Sequence, residues 1–234
     1  SARCLAAHPG AAWAWCASPP PLAFDTLKQR HRAIRDGQDA DAATRLHRAI
    51  SWLGRAEQEA SDPDACFIFQ WIALNAAYAR EFSHEKSERD RFRQFVATLV
   101  GLDAQRSLHQ ALFSEFSGPI RTLIDNRFVF EPFWTALREH DPSNRWEASF
   151  AGSRKAAMAA VLGQDTATVL SIVFDRLYVL RNQLVHGGAT WNSQVNRQQL
   201  RDGVAILGAL LPLILAVMLE HPHHDFGEVL YPVL

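Results

Sequence analysis

From Val204 to Leu219 the chain runs sixteen residues without a charged or hydrogen-bonding side chain, with Pro212 inside the run. A helix needs about 20 residues to cross a bilayer, so this run is short for a membrane span and reads as a buried or interface helix. Its apolar residues circle the helix rather than forming one stripe. A bundle absorbs one side, and the other side calls for a second partner, because large exposed apolar patches are rare on monomers. The remaining sequence supplies further helices and almost no strands. Arg127-Phe128-Val129-Phe130 is the one strand candidate, and it is short. The fold class expected is therefore all-α, a helical bundle.

The chain has 234 residues, 48% hydrophobic and 21% charged, which is the balance of a folded chain rather than a disordered one. Residues 1–21 are rich in Ala, Pro and Trp and close on Pro19-Pro20-Pro21. They read as an extended leader packing through Trp13 and Trp15. Leu5 to Ala17 loosely resembles a signal peptide, but His8, Pro9 and Gly10 break its apolar stretch. Residues 22–234 read as a single helical domain in a cytoplasmic protein. A first helix runs from Leu22 to about Gly37, and Asp39 or Asp41 caps a second that carries Leu46, Ile50 and Leu53. Ser61-Asp62-Pro63 stops that helix and starts another, about Asp64 to Glu81, apolar nearly all round through Phe67, Ile68, Phe69, Trp71, Ile72 and Leu74. Such a helix belongs at a bundle's centre. The segment from His84 to Arg93 is charged and reads as a solvated face, with an RNA-facing patch as the alternative. Residues 103–163 read as an insert of short helices with turns at Gly118-Pro119, Glu131-Pro132 and Asp141-Pro142. Two long helices finish the chain, about Thr166 to Val185 and Asn196 to Leu219.

Charge narrows the function. The formal net charge is −1, whereas a protein that holds long duplexes through many phosphates carries a basic excess. A nucleic-acid contact here is local, with a short footprint. Cys4, Cys16 and Cys66 form no CxxC pair and no zinc-type spacing. His221, His223 and His224 fall in a Pro-interrupted tail and read as tail residues rather than a metal cluster. No metal and no cofactor are expected.

The chemistry-bearing segment closes the helix from Thr166. Leu170, Val173, Phe174, Leu177, Leu180 and Leu184 recur at steps of three and four and share one face. At roughly 100° per residue, Arg181 falls beside Phe174 at the edge of that stripe. A guanidinium facing a core needs an anionic or hydrogen-bonding partner. His186 follows, then Gly187-Gly188, which suits a helix end because glycine takes the left-handed terminal conformation readily. Arg181, Asn182 and a titratable His186 are thereby gathered at one helix end. These groups suit RNA cleavage without a metal. Histidine titrates near neutral pH and serves as acid or base, and arginine clamps phosphate oxygens through its planar fork.

Arg181-Asn182-Gln183-Leu184-Val185-His186 resembles the R-x(4–6)-H motif of the HEPN superfamily, including the polar residue directly after the arginine. Trp71-Ile72-Ala73-Leu74-Asn75-Ala76-Ala77-Tyr78 is similar to an early-helix pattern in many HEPN-type domains. The resemblance implies a HEPN-like bundle that dimerises so that two motifs face one cleft. It also implies an endoribonuclease leaving a 2′,3′-cyclic phosphate, in a toxin–antitoxin, antiviral or RNA-processing setting, with an antitoxin or other regulatory protein as a further partner. His186 would be general acid/base, Arg181 the phosphate clamp and Asn182 an orienting group. Asn75, strongly polar within an apolar helix, would bridge to a neighbouring helix's backbone or support Arg181. A catalytically silent HEPN-like domain that binds RNA or a protein is the alternative. The homodimer is expected to form through the last two long helices.

Overall fold

The computed structural model describes residues 23–78, 88–194, 196–229 and 231, and among these it contains helices and no strands. The leader, with Trp13, Trp15, Cys4 and Cys16, lies outside the described residues, as does the stretch 79–87 that holds the first part of the charged connector, His84 to Ser87. Ten α-helices follow in order: α1 Phe24–Ile34, α2 Ala40–Gln58, α3 Pro63–Tyr78, α4 Glu88–Leu102, α5 Ser107–Gln110, α6 Ser117–Ile124, α7 Glu131–Arg138, α8 Arg145–Leu162, α9 Thr166–Val185 and α10 Arg197–Glu220.

Local chemistry sets many of the boundaries. Asp39, not Asp41, caps α2, its Oδ2 accepting from the N–H groups of Asp41 and Ala42 at 3.0 and 3.4 Å. Asp62 Oδ1 accepts from Asp64 and Ala65 at the start of α3, with Pro63 at the first helical position where its missing N–H costs nothing. Asp165 caps α9 through Thr168, taking both its backbone N–H and its hydroxyl. Each cap satisfies donors that the first turn of a helix leaves open.

The insert differs from its sequence reading. Pro119 and Pro132 sit in the first turns of α6 and α7, so those Pro pairs start helices where turns were expected. α8 is 18 residues long and not short. Only Ala157 and Val161 along it are buried, which explains why no apolar stripe announced it. The strand candidate is a 3-10 turn, Arg127–Val129, closed by Asn126 Oδ1 accepting from Phe128 N–H at 2.9 Å.

One contiguous core joins all the longer helices. α3 lies against α2, α10 and α9, while α4 and α8 flank α9. α10 is covered by its own chain. Its most apolar 18-residue window, long and apolar enough on its face to cross a membrane, is 72% buried within the fold. From Ile206 to Leu219 all but two residues are buried, so the second side that sequence reasoning assigned to another copy is filled by α1, α2 and α3 on one flank and the α4–α6 region on the other. Gly203 marks the closest approach: a Cβ there would meet Phe67, Leu180 and Leu177 at 3.0 to 3.3 Å, where α3, α9 and α10 converge.

Candidate functional site

The end of α9 forms because its last carbonyls find backbone donors. Gly187 N–H donates to Leu184 C=O at 3.2 Å and Gly188 N–H to Gln183 C=O at 2.7 Å, with Gly187 at φ +69°. This reciprocal pair is the Schellman arrangement, and it requires a left-handed residue after the cap. The cap residue is His186, at φ −92° and ψ 12°, with its side chain exposed. The glycine pair therefore stops the helix where the sequence indicated.

Arg181 is half-buried. Its Nη1 donates to Asn182 Oδ1 at 2.9 Å and its guanidinium carbon lies 5.9 Å from the centre of the Tyr178 ring. Its Nε is buried without a partner, and no carboxylate pairs with it among the described residues. Asn182 thus touches Arg181 directly. Roughly 7.5 Å of helix rise separates Arg181 from His186.

Asn75 does not join them. Its Oδ1 is buried and unpaired, and it makes no hydrogen bond to Arg181. Helix direction explains this. The Trp71 ring meets Tyr178 at 6.0 Å, while Tyr78 reaches Phe174 through Phe92, with ring separations of 4.9 and 4.8 Å. α3 and α9 are therefore antiparallel, and Asn75 lies one turn from Trp71 in the direction leading away from Arg181. A polar side chain on the buried face of α3 that does bridge helices is Gln70, 3% exposed, whose Nε2 donates to the Val204 carbonyl of α10 at 3.2 Å. Its register on the buried face of α3 was the available sequence signal.

The surroundings of the motif are pinned. Gln183 Nε2 donates to Phe128 C=O at 2.7 Å, and Asn196 Nδ2 donates to Gln183 Oε1 at 3.0 Å, tying the last turn of α9 to the 3-10 turn and to the start of α10. Beyond the glycines, Trp191 Nε1 donates to Asp62 Oδ2 at 3.0 Å and Arg197 pairs with Asp64 at 2.8 Å, so the loop is clipped to the start of α3. The indole N–H, ahead of the two backbone donors, holds the Asp62 carboxyl below its usual range. Val185, directly before His186, is 50% exposed, and Trp191 in the loop beyond the glycines is 75% exposed.

Of the charged connector, Arg89 and Arg93 face α9 and pair with Asp175 at 3.1 and 3.5 Å, which makes them structural ion-pair partners. His221 Nδ1 lies 2.9 Å from Val217 C=O, and no group of three or more metal-binding side chains occurs among the described residues. Sequence reasoning missed Arg176, the arginine of α9 that is buried, at 3% exposure. No family model matches the chain, and no curated protein or solved structure matches it either.

Proposed function

We propose that the chain is a HEPN-like, metal-independent endoribonuclease. What carries the reading is one helix end holding a guanidinium with no carboxylate partner among the described residues and, five residues further on, an exposed imidazole. In the reaction, the 2′-oxygen of a ribose attacks the adjacent phosphorus and loses its proton to a base. The P–O5′ bond breaks, the 5′-oxygen takes a proton from an acid, and a 2′,3′-cyclic phosphate remains. His186 supplies the proton transfers. Arg181 bears the phosphorane charge through its free N–H groups, and Asn182 sets the guanidinium plane through its 2.9 Å bond. One imidazole cannot be base and acid at once, so two copies facing one cleft provide both. Because α10 is covered within its own chain, the contact between copies is proposed across the end of α9 and the following loop, where Val185 and Trp191 are exposed. RNA is the substrate, and toxin or antiviral effector the biological setting, with a regulatory protein such as an antitoxin as the further partner.

A silent RNA- or protein-binding domain is the second reading. The observation in its favour is the walled-off Arg181 Nε, which removes one edge of the guanidinium from a substrate. End-group analysis separates the two. Total RNA and tRNA incubated with the protein in EDTA should yield fragments ending in 2′,3′-cyclic phosphate and starting with 5′-hydroxyl. RNA bound but left intact supports the silent domain.

A further inference from the structure

Arg176 lies on the opposite flank of α9 from Arg181, about 15 Å along the axis from His186. Its side chain lines a cleft of about 530 Å³ between α7, α8 and α9. Nη1 donates to the Val129 carbonyl at 3.5 Å and Nη2 to Ser153 Oγ at 3.2 Å. The guanidinium carbon sits 4.6 Å from the centre of the Phe130 ring and 5.6 Å from that of Phe150. Those two bonds, one of them long, leave most of its five N–H groups unmet. No carboxylate lies within ion-pair distance of it among the described residues: its neighbour Asp175 is turned to Arg89 and Arg93. Burial pushes the guanidinium down to about 10, with Asp175 acting in the opposite sense. A buried cation that has aromatic faces but no counter-ion is incompletely compensated, and here its open donors face a cleft.

Such a cation calls for an anion in the cleft, and the walls decide what kind of molecule carries it. Phe130, Trp146 and Ile172 present apolar and aromatic surface. Four carboxylates line the cleft, Glu131, Glu139, Asp141 and Asp175, against Arg89, Arg145 and Arg176. Arg138, Arg145 and Arg89 pair with Glu131, Asp141 and Asp175 at 2.8, 3.8 and 3.1 Å, which leaves Glu139 without an ion-pair partner among the described residues. A nearly balanced rim with one unpaired carboxylate offers a dianion such as a phosphate monoester no second free cation and suits a single delocalised negative charge on a flat apolar body. We infer that this cleft is a binding site for a small aromatic monocarboxylate, its carboxylate forked by Arg176 and its ring against Phe130 and Trp146. The site is separate from the Arg181–His186 end of the helix, and it stands whether or not the chain cleaves RNA.

Isothermal titration of the full chain with indole-3-acetate and benzoate is the test, with neutral indole and the dianion AMP as comparators. The expected result is saturable binding of the monocarboxylates, at least tenfold tighter than indole or AMP. Arg176→Met keeps the apolar stem, and removing a charge-assisted bond to the ligand should weaken binding about 10- to 100-fold. Circular dichroism checks that this variant folds. Ser149→Trp, on the exposed face of α8 at the cleft's edge, leaves Arg176 in place and should weaken binding by narrowing the mouth. Failure of wild-type protein to bind either carboxylate overturns the inference. So does equal affinity for indole, tighter binding of AMP, or wild-type affinity in Ser149→Trp.

Discussion

Arg181 donates from Nη1 to the side chain of its own successor, Asn182, at 2.9 Å. Adjacent helical positions point roughly 100° apart, so the long arginine curls round the helix to reach its neighbour. The contact turns the guanidinium along the helix surface, over Tyr178, and away from the core that the apolar stripe would otherwise direct it toward. Half-burial with a neutral partner leaves the charge unneutralised.

His186→Ala should reduce RNA cleavage by about 10²–10⁴-fold, the usual contribution of general acid–base catalysis. The side chain is exposed, so the melting temperature should hold. Cleavage at the wild-type rate in the purified variant removes His186 from the mechanism.

Activity should survive chelation. Arg181, Asn182 and His186 need no metal for the chemistry described, and EDTA should change the cleavage rate little. A rate that collapses in EDTA and returns with magnesium or manganese points to a different kind of nuclease.

The active species should be a dimer joined over the α9 end, which light scattering at micromolar concentration will report. Val185→Glu places a charge on a residue 50% exposed and should shift the population to monomer and lower cleavage together. A monomer that cleaves at full rate removes the composite cleft.

Gly187→Ala tests the helix stop. A Cβ at Gly187 meets nothing within 4 Å, so the whole penalty comes from φ +69°. A left-handed alanine costs about 1–2 kcal/mol, and the unfolding free energy from urea titration should fall by that much. If nucleolytic activity falls further than stability, the turn is also positioning His186.

Stability should decline as pH falls below neutrality, and His31 is one source. It is 5% exposed with Nε2 buried and unpaired. Burial, then the charges of His47 and Arg35, hold its pKa below the usual 6.5. The unfolded chain thus takes up the proton first, and stability present above about pH 6.5 is lost on acidification. His109 acts in the same sense, through burial and then Arg106. His31→Gln should flatten the slope of unfolding free energy between about pH 5 and 7. An unchanged slope assigns the effect to other groups.

What was readable in the sequence is what local chemistry dictates. The span of α9 follows from Asp165 at one end and the glycine pair at the other, because caps and left-handed turns act within a few residues. The apolar stripe through Leu177 and Leu180 follows from the 3.6-residue period, and it placed Arg181 near the edge of the core. The all-helical class followed from the same periodicity, and that class is what the chain adopts.

Tertiary packing decided the rest, because it depends on which faces meet. α9 is covered on a second side by α8 and by the turn at Val129, which buries Arg176 at the base of a cleft, and no periodicity along α9 announces that second cover. The antiparallel course of α3 sends Asn75 away from Arg181, one of its two expected partners, and its Oδ1 meets no backbone donor of a neighbouring helix either. α10 reads as a helix in want of a partner copy only while its neighbours are unknown. In the fold α1, α2, α3 and the α4–α6 region surround it, since burying its whole circumference within one chain removes the same apolar area from water that a dimer would.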